Sequence, residues 1–562
     1  MQDRRRPGRA GGEPHLAGAA VNRILARLQA AVENTSRGLT AAPVDPDGRS
    51  RLDQLTRTTW AQVHRSGRAV AGGLQQAGVK PGGAVAVLAG APGEIAPLVQ
   101  GIWMSGAAVT MLHHPTHRTE ISEWAADLIP TLSTVGASTV VVGSPLEAAG
   151  EALSAAGVQT LLLNELLDAA PGPIVESGED AIAFAQLTSG STGRPKAVAI
   201  SYRNIEANLV GMAAASGADP ETDVVVSWLP LFHDMGMMGY LITPMCLGIE
   251  TVKVTPVDFL GDPLLWAELI TRYRGTMTAA PNFAYSVLAR RLRKAADGAY
   301  DLSSLRFALS GAEAIDIATL DRLTAEGARF GLRKHAIVPA YGMAEATLGV
   351  SFVRPGDQYR VCAQRVALGQ PLPGCEIRVV AEDGTVVDSP SVGELEIRGE
   401  NVTRGYRTAE GFEAVTDADG WFRTGDIGYL TGDGQPVICG RKKDILIVSG
   451  RNVHPEDIER SVAGVTGVRS GGVAAVRFSA ATAGEGFSMV AESALHDDAA
   501  EIARIRAEIA DRIYRRLGLS PRAVHVVPAG WLPKTSSGKL RRLETTARLA
   551  RLGQPGEREL AR

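Results

Sequence analysis

Hydrophobic and polar positions alternate along the chain with two periods. Val21–Val32 and Thr58–Ala77 carry apolar residues at helical spacing, and Gly78 stops the second. Glu94–Ser105 and Asn204–Ala215 read as further helices. Short β-rich runs lie between and beyond them. They are Ala84–Leu88 after the Pro81-Gly82-Gly83 turn, Ala107–Leu112, Thr139–Val142, Thr160–Leu163, Ala181–Leu187, Val224–Leu229, Thr276–Pro281, Phe307–Ser310 and Ile337–Tyr341. Strands alternating with helices predict an α/β fold whose parallel sheets are flanked by helices. Gly374–Val392 and Gly393–Tyr406 switch to β patterning with turn glycines and predict a smaller β subdomain. Beyond Arg441–Asp444 comes a compact α+β unit: a helix at Ile458–Val465 after Pro455, strands at Val473–Val476, Ser488–Ala491 and Ala523–Val527, and a long helix at Asp498–Leu517. In that helix Ile502, Ile505, Ile509, Ile513 and Leu517 form one face, and Gly518 ends it.

Composition narrows the class. The chain has 562 residues, enough for several domains, with 45% apolar and 21% charged residues. A net charge of -3 gives no nucleic-acid footprint. The cysteines Cys246, Cys362, Cys375 and Cys439 are far apart and suit a reducing cytoplasm. Residues 1–20 are basic and rich in Gly and Pro, which predicts a disordered tail. The apolar stretch Ala84–Leu112 is broken by Pro92, Gly93 and Glu94, so at most peripheral membrane contact is expected.

Candidate chemistry begins at Leu187–Lys196, LTSGSTGRPK, directly after a predicted buried strand. Glycines let a backbone approach a ligand closely, and hydroxyls, N–H groups and basic side chains suit phosphate oxygens. A solvated Ser/Gly linker fits the loop alone equally well. It lacks the GxxxxGK[ST] of a Walker loop. His113, His114 and His117 cluster around Pro115 and read as loop packing rather than a metal site.

Further motifs follow in order: WLPLFHDMG (Trp228–Gly236), SGAE (Ser310–Glu313), YGMAEAT (Tyr341–Thr347), GELEIRG (Gly393–Gly399), GWFRTGDIGYL (Gly420–Leu430), GRKKDILIVSGRNVHPEDIE (Gly440–Glu459) and PKTSSGKLRR (Pro533–Arg542). Together with TSGSTGRPK they resemble the adenylate-forming superfamily, and HDMG and PNFAY (Pro281–Tyr285) resemble its fatty acyl-AMP ligase and fatty-acyl-CoA synthetase branch.

The resemblance implies a large domain over 21–440 that binds ATP and acyl group, a hinge over 441–444 with Lys443 as pivot, and a small mobile domain over 445–562. It implies phosphate binding by Thr188, Ser189, Gly190, Ser191, Thr192, Gly193 and Lys196. Adenine and ribose are expected at Gly311, Ala312, Glu313, Tyr341, Gly342, Asp426 and Arg441. The acyl pocket and its gate are expected at His233, Asp234, Met235, Gly236 and Asn282. Catalysis is assigned to Lys539, Glu345 and Thr192, with Glu345 as the magnesium ligand. Taken alone, Glu345 also fits a helix-start glutamate stabilised by the helix dipole, and Arg441–Asp444 a solvated charge run.

The expected reaction is ATP-dependent activation of a fatty acid as acyl-AMP, then transfer to a phosphopantetheine thiol. The interval Leu348–Leu368 is short for a fatty acyl-AMP ligase. The acceptor is therefore open between a holo acyl carrier protein, slightly favoured, and CoA. Arginines Arg504, Arg512, Arg515 and Arg516 offer a face to an acidic carrier helix. A non-catalytic acyl- or nucleotide-binding protein is the reading of another class. It would be expected to lose Lys539, Glu345 or Asp426.

Overall fold

The computed structural model describes residues 22–33, 36–115, 120–188, 196–448, 451–477, 486–534 and 540–552. Among them, two large sheets carry the first part of the chain. A nine-stranded sheet has at its centre the parallel strands Ile337–Gly342, Phe307–Gly311, Met277–Pro281, Val224–Ser227, Glu250–Lys253 and Gly38–Ala41, in that spatial order. An eight-stranded sheet holds Ile182–Thr188, Ala108–Met111, Ala84–Leu88, Ala137–Val142 and Gln159–Leu162 in parallel. Its other side is antiparallel: Lys196–Ser201 returns along Ile182–Thr188, and the hairpin Gly405–Thr408/Gly411–Ala414 adds to it. Buried on both faces, the inner strands Ala84–Leu88 and Ala108–Met111 are nearly continuous apolar runs, as parallel sheets require.

Local chemistry sets the helix limits. Helix Trp60–Gln76 starts at Thr59, whose hydroxyl accepts from the Gln62 N–H while the Gln62 side chain returns to the Thr59 N–H. Helix Tyr202–Ser216 repeats this with Ser201 and Asn204 and stops at Gly217, where φ is 58°. The small unit packs a sheet of Val468–Arg477, Phe487–Ser493 and Ala523–Val527 under helix Ala499–Leu517. Asp498 caps that helix, and Ile505, Ile509 and Ile513, four apart, are fully buried. Each contributes about 1.5–3 kcal/mol by leaving water.

A five-stranded antiparallel sheet, from Val386–Val387 through Cys375–Val380, Gly393–Gly399 and Phe422–Leu430 to Pro436–Arg441, bridges to the small unit. Three sequence expectations change in detail. The helix expected at Ile458–Val465 runs Pro455–Ser461, because Pro455 starts the first turn and the chain turns back before Gly464, where φ is 74°. The segment expected as a gate at His233–Gly236 runs into a π-helix over Met235–Ile242. The basic stretch after Lys539 enters a helix, Arg542–Leu552. Among the described residues no helix is long and apolar enough to cross a membrane.

Candidate active site

The carboxyl ends of Val224–Ser227, Met277–Pro281, Phe307–Gly311 and Ile337–Gly342 lie side by side in the nine-stranded sheet. Crevices at such strand ends are where α/β sheets hold ligands. Beside them opens a cavity whose walls are predominantly apolar. His233, Asp234, Met235, Gly311, Ala312, Tyr341 and Gly342 stand at one end. Ala312 has φ 65°, a left-handed conformation uncommon outside glycine. Gly342 admits no side chain, since a Cβ would lie 2.2 Å from the Leu348 carbonyl oxygen.

Asp426 is the polar centre of this region. It lies opposite Arg441 in the antiparallel pair Phe422–Leu430/Pro436–Arg441. Its Oδ1 is 2.6 Å from Arg441 Nε, and its Oδ2 accepts from the Tyr341 hydroxyl at 2.6 Å. Burial, and then the Asp426 charge, hold the Tyr341 phenol well above its usual range. Burial would lower the Arg441 guanidinium, but Asp426, Tyr341 and Glu345 outweigh it and raise it.

A second cluster surrounds Glu345, in the turn after Ile337–Gly342. Its Oε1 accepts from the Tyr406 hydroxyl at 2.7 Å, and its carbonyl accepts from the Thr403 N–H at 2.7 Å. Lys196, at the start of its strand, stands 5.3 Å from the Tyr406 ring centre and pairs with Glu413 at 2.8 Å. Thr188 and Lys196 face each other across the strand pair. Among the described residues no group of three or more His, Cys, Asp or Glu is arranged to hold a metal. One carboxylate such as Glu345, with substrate phosphates, is the donor set magnesium commonly takes.

The segment expected as the gate is held by local hydrogen bonds. His233 Nδ1 lies 2.5 Å from Asp234 Oδ1, which also accepts from the Met235 N–H at 2.7 Å. The Met235 N–H also lies 3.3 Å from His233 Nδ1. Phe232 packs edge-on against His113 and His114. Burial lowers both of those imidazoles' pKa values. On the strand beside Val224–Ser227 sits Lys253, fully buried, its Nζ donating to Ser227 Oγ and the Leu229 carbonyl at 3.1 Å each.

Other expected residues fall elsewhere. Asn282 accepts from the Asp316 N–H at 3.3 Å and Glu313 from the Phe283 N–H at 2.6 Å, both outside the cavity lining. Gly236 also lies off the lining, pressed against Pro230, whose carbonyl oxygen would be 2.1 Å from a Cβ. Lys443 is exposed in the 3-10 turn Lys442–Asp444. Ser189, Gly190, Ser191, Thr192, Gly193, His117 and Lys539 lie outside the described residues. Sequence reading missed Tyr406 and Glu413, whose partners are 61 and 217 positions away.

Comparison with known proteins agrees with this architecture. A putative ligase of Mycobacterium tuberculosis is 48% identical over 86% of this chain and 93% of its own length. A long-chain-fatty-acid–AMP ligase of Mycobacterium marinum is 31% identical over 89% of this chain and 91% of its own. A structure from studies of fatty acyl-adenylate ligases from E. coli and L. pneumophila superimposes with a TM-score of 0.82 at 26% identity, covering 94% of this chain and 98% of that one. The family model described as AMP-binding enzyme matches residues 38–407. Given that match and these relatives, the chain belongs to the AMP-binding enzymes.

Proposed function

We propose that this enzyme activates a fatty acid with ATP and passes the acyl group to a phosphopantetheine thiol, with a carrier protein favoured over CoA. The observation that carries the reading is one apolar cavity opening beside the Asp426–Tyr341–Arg441 cluster and Glu345. The relatives named as fatty-acid–AMP and fatty acyl-adenylate ligases support it. A carboxylate oxygen attacks the α-phosphorus of ATP, the bond to the bridging oxygen breaks, and pyrophosphate leaves. The thiolate then attacks the acyl carbon and AMP leaves.

Neither step needs a nucleophilic side chain. Positioning and charge compensation suffice. Asp426 takes the ribose hydroxyls, assisted by Arg441, and Gly311, Ala312 and Gly342 offer a backbone wall to the purine. Thr188–Lys196 surrounds the phosphates, and Lys539 bridges carboxylate and α-phosphate. Magnesium held by Glu345 would neutralise phosphate charge. His233 separates the acyl and nucleotide ends. Rotation of the small domain about Lys443 would then exchange one active face for the other.

The test is a mass-spectrometric assay of the full chain with ATP and mixed fatty acids, offered CoA and a holo carrier protein in parallel. Acyl-AMP is expected from wild type and nearly none from Lys539→Ala, with folding intact. Undiminished acyl-AMP in that variant would remove the lysine's role, and none from wild type would remove the activity. A CoA product is the specific alternative, favoured by the short Leu348–Leu368 interval.

A further inference from the structure

The far end of the cavity is built to a register. Strand Phe307–Gly311 lines it with Phe307, Leu309 and Gly311, alternate residues on one face. Phe307 pairs with Met277, Met277 pairs with Val225, and all three line the cavity. They form one row across three parallel strands, closing the end away from His233. At the other end of the same strand Gly311 pairs with Pro281. From the Phe307 row to the Gly311 row is four residue rises, a depth of about 13 Å. An extended chain advances about 1.2 Å per single bond, since three bonds make a residue of about 3.6 Å, so that depth takes about eleven bonds.

The floor is braced from outside. Arg306, next to Phe307, holds Asp223 with Nε at 2.8 Å from Oδ1 and Nη2 on Oδ2. The same guanidinium donates to the carbonyls of Ser216 at 2.7 Å and Gly217 at 3.0 Å, at the end of helix Tyr202–Ser216. Its Nη2 lies 3.8 Å from Met277 Sδ. Ser216 and Ala218 line the cavity as well. The Arg306–Asp223 pair therefore ties the floor strands to the helix end, with its charges already matched to each other and to carbonyls.

We infer that the Val225–Met277–Phe307 row, braced by Arg306 and Asp223, is a ruler that admits unbranched acyl chains of about ten to twelve carbons with an apolar terminus. The inference rests on the fatty-acid reading of the cavity and adds its length limit. A terminal carboxylate would meet no unengaged cation at the floor and would be desolvated without a partner.

Calorimetric binding of octanoate, decanoate, dodecanoate, hexadecanoate and dodecanedioate to the full chain, without ATP, tests the ruler apart from catalysis. Affinity is expected to rise about fourfold per methylene up to about twelve carbons and then level or fall. Dodecanedioate is expected to bind at least tenfold more weakly than dodecanoate. Met277→Ala should move the limit to longer acids, and Ala218→Leu to shorter ones. Affinity still rising to hexadecanoate, or a limit that neither substitution moves, overturns the ruler. Acyl-AMP formation measured on the same acids separates the two readings. A length limit in binding with no acyl-AMP from any acid would leave the ruler and remove the adenylation.

Discussion

Tyr406 donates its hydroxyl to Glu345 Oε1 across 2.7 Å, joining the Gly405–Thr408 strand of one large sheet to a turn at the edge of the other. The bond leaves Glu345 Oε2 without a hydrogen-bond partner among the described residues. Burial, then the Glu345 charge, keep the Tyr406 phenol protonated, so the donor persists across the physiological range. Tyr406 thus orients the carboxylate proposed to hold magnesium. Tyr406→Phe should raise the magnesium needed for half-maximal acyl-AMP formation by about tenfold or more, since a hydrogen bond to a charged group is worth about 1.5–3 kcal/mol. Activity at saturating magnesium should recover most of the wild-type rate. A metal titration that does not move would make the bond structural only.

Lys253 should make stability depend on pH. Burial lowers its pKa to about 7, below the unfolded value. Between those two pKa values the unfolded chain binds the proton and the folded chain does not, so stability rises with pH through that window. The slope from this one group is at most about 1.4 kcal/mol per pH unit. Below pH 7 the charged amine is buried in both the hydrogen-bonded site and the folded core, and its penalty is fully present. Lys253→Met should flatten the profile of melting temperature between pH 7 and 10 and stabilise the protein most at the acidic end. Equal slopes in both proteins would assign the pH dependence elsewhere.

Arg365 connects the two parts of the chain. It lies in the short Leu348–Leu368 interval and pairs with Asp457 of helix Pro455–Ser461 at 2.5 Å, while donating to the Cys439 carbonyl at 3.3 Å. Burial raises the Asp457 carboxyl, but Arg365 and Arg460 outweigh it and hold it below its usual range. The contact is therefore present at neutral pH and lost only as pH falls through that depressed value. Arg365→Ala should lower hydrogen-exchange protection in 455–461 at least fivefold and raise the rate of thiol transfer relative to adenylation. Unchanged protection would show that other contacts hold the small unit.

Arg542 opens the helix Arg542–Leu552 and ties it to carboxylates of the small unit. Its guanidinium is largely buried among Glu459, Glu456 at 3.0 Å and Asp444 at 3.8 Å. Burial alone would lower its pKa, but these carboxylates raise it. Arg542→Met leaves buried carboxylates unpaired and should destabilise the protein by about 3–5 kcal/mol, read by denaturant unfolding. Arg542→Lys should recover little, since one ammonium cannot reproduce the forked contacts. A loss under 1 kcal/mol, an order-of-magnitude bound set by exposed pairs, would place the network in solvent.

Much of this was legible in the sequence wherever the signal is local. Helix Ala499–Leu517 announces itself by isoleucines four apart between Asp498 and Gly518, and the strand Ile182–Thr188 by an apolar run that only Gln186 interrupts. Asp426, Tyr341 and Arg441 lie on three separate motifs, and only the resemblance could place them together. The π-helix Met235–Ile242 was not legible, because MGMMGYLI is apolar throughout and carries no period. The role of Arg542 was not legible, because its carboxylates are up to 98 positions away in the chain. Asn282 and Gly236 follow strands that reach the cavity, yet their own contacts point to Asp316 and Pro230.

The floor of the cavity is a row of three side chains on strands locked by backbone hydrogen bonds. Sliding one strand would turn every inward residue outward. Depth is therefore inherited through side-chain size at Val225, Met277 and Phe307, while the backbone stays fixed. A lineage carrying this sheet can lengthen or shorten its preferred substrate by single substitutions there, with adenylation left to residues that never meet the end of the chain they bind.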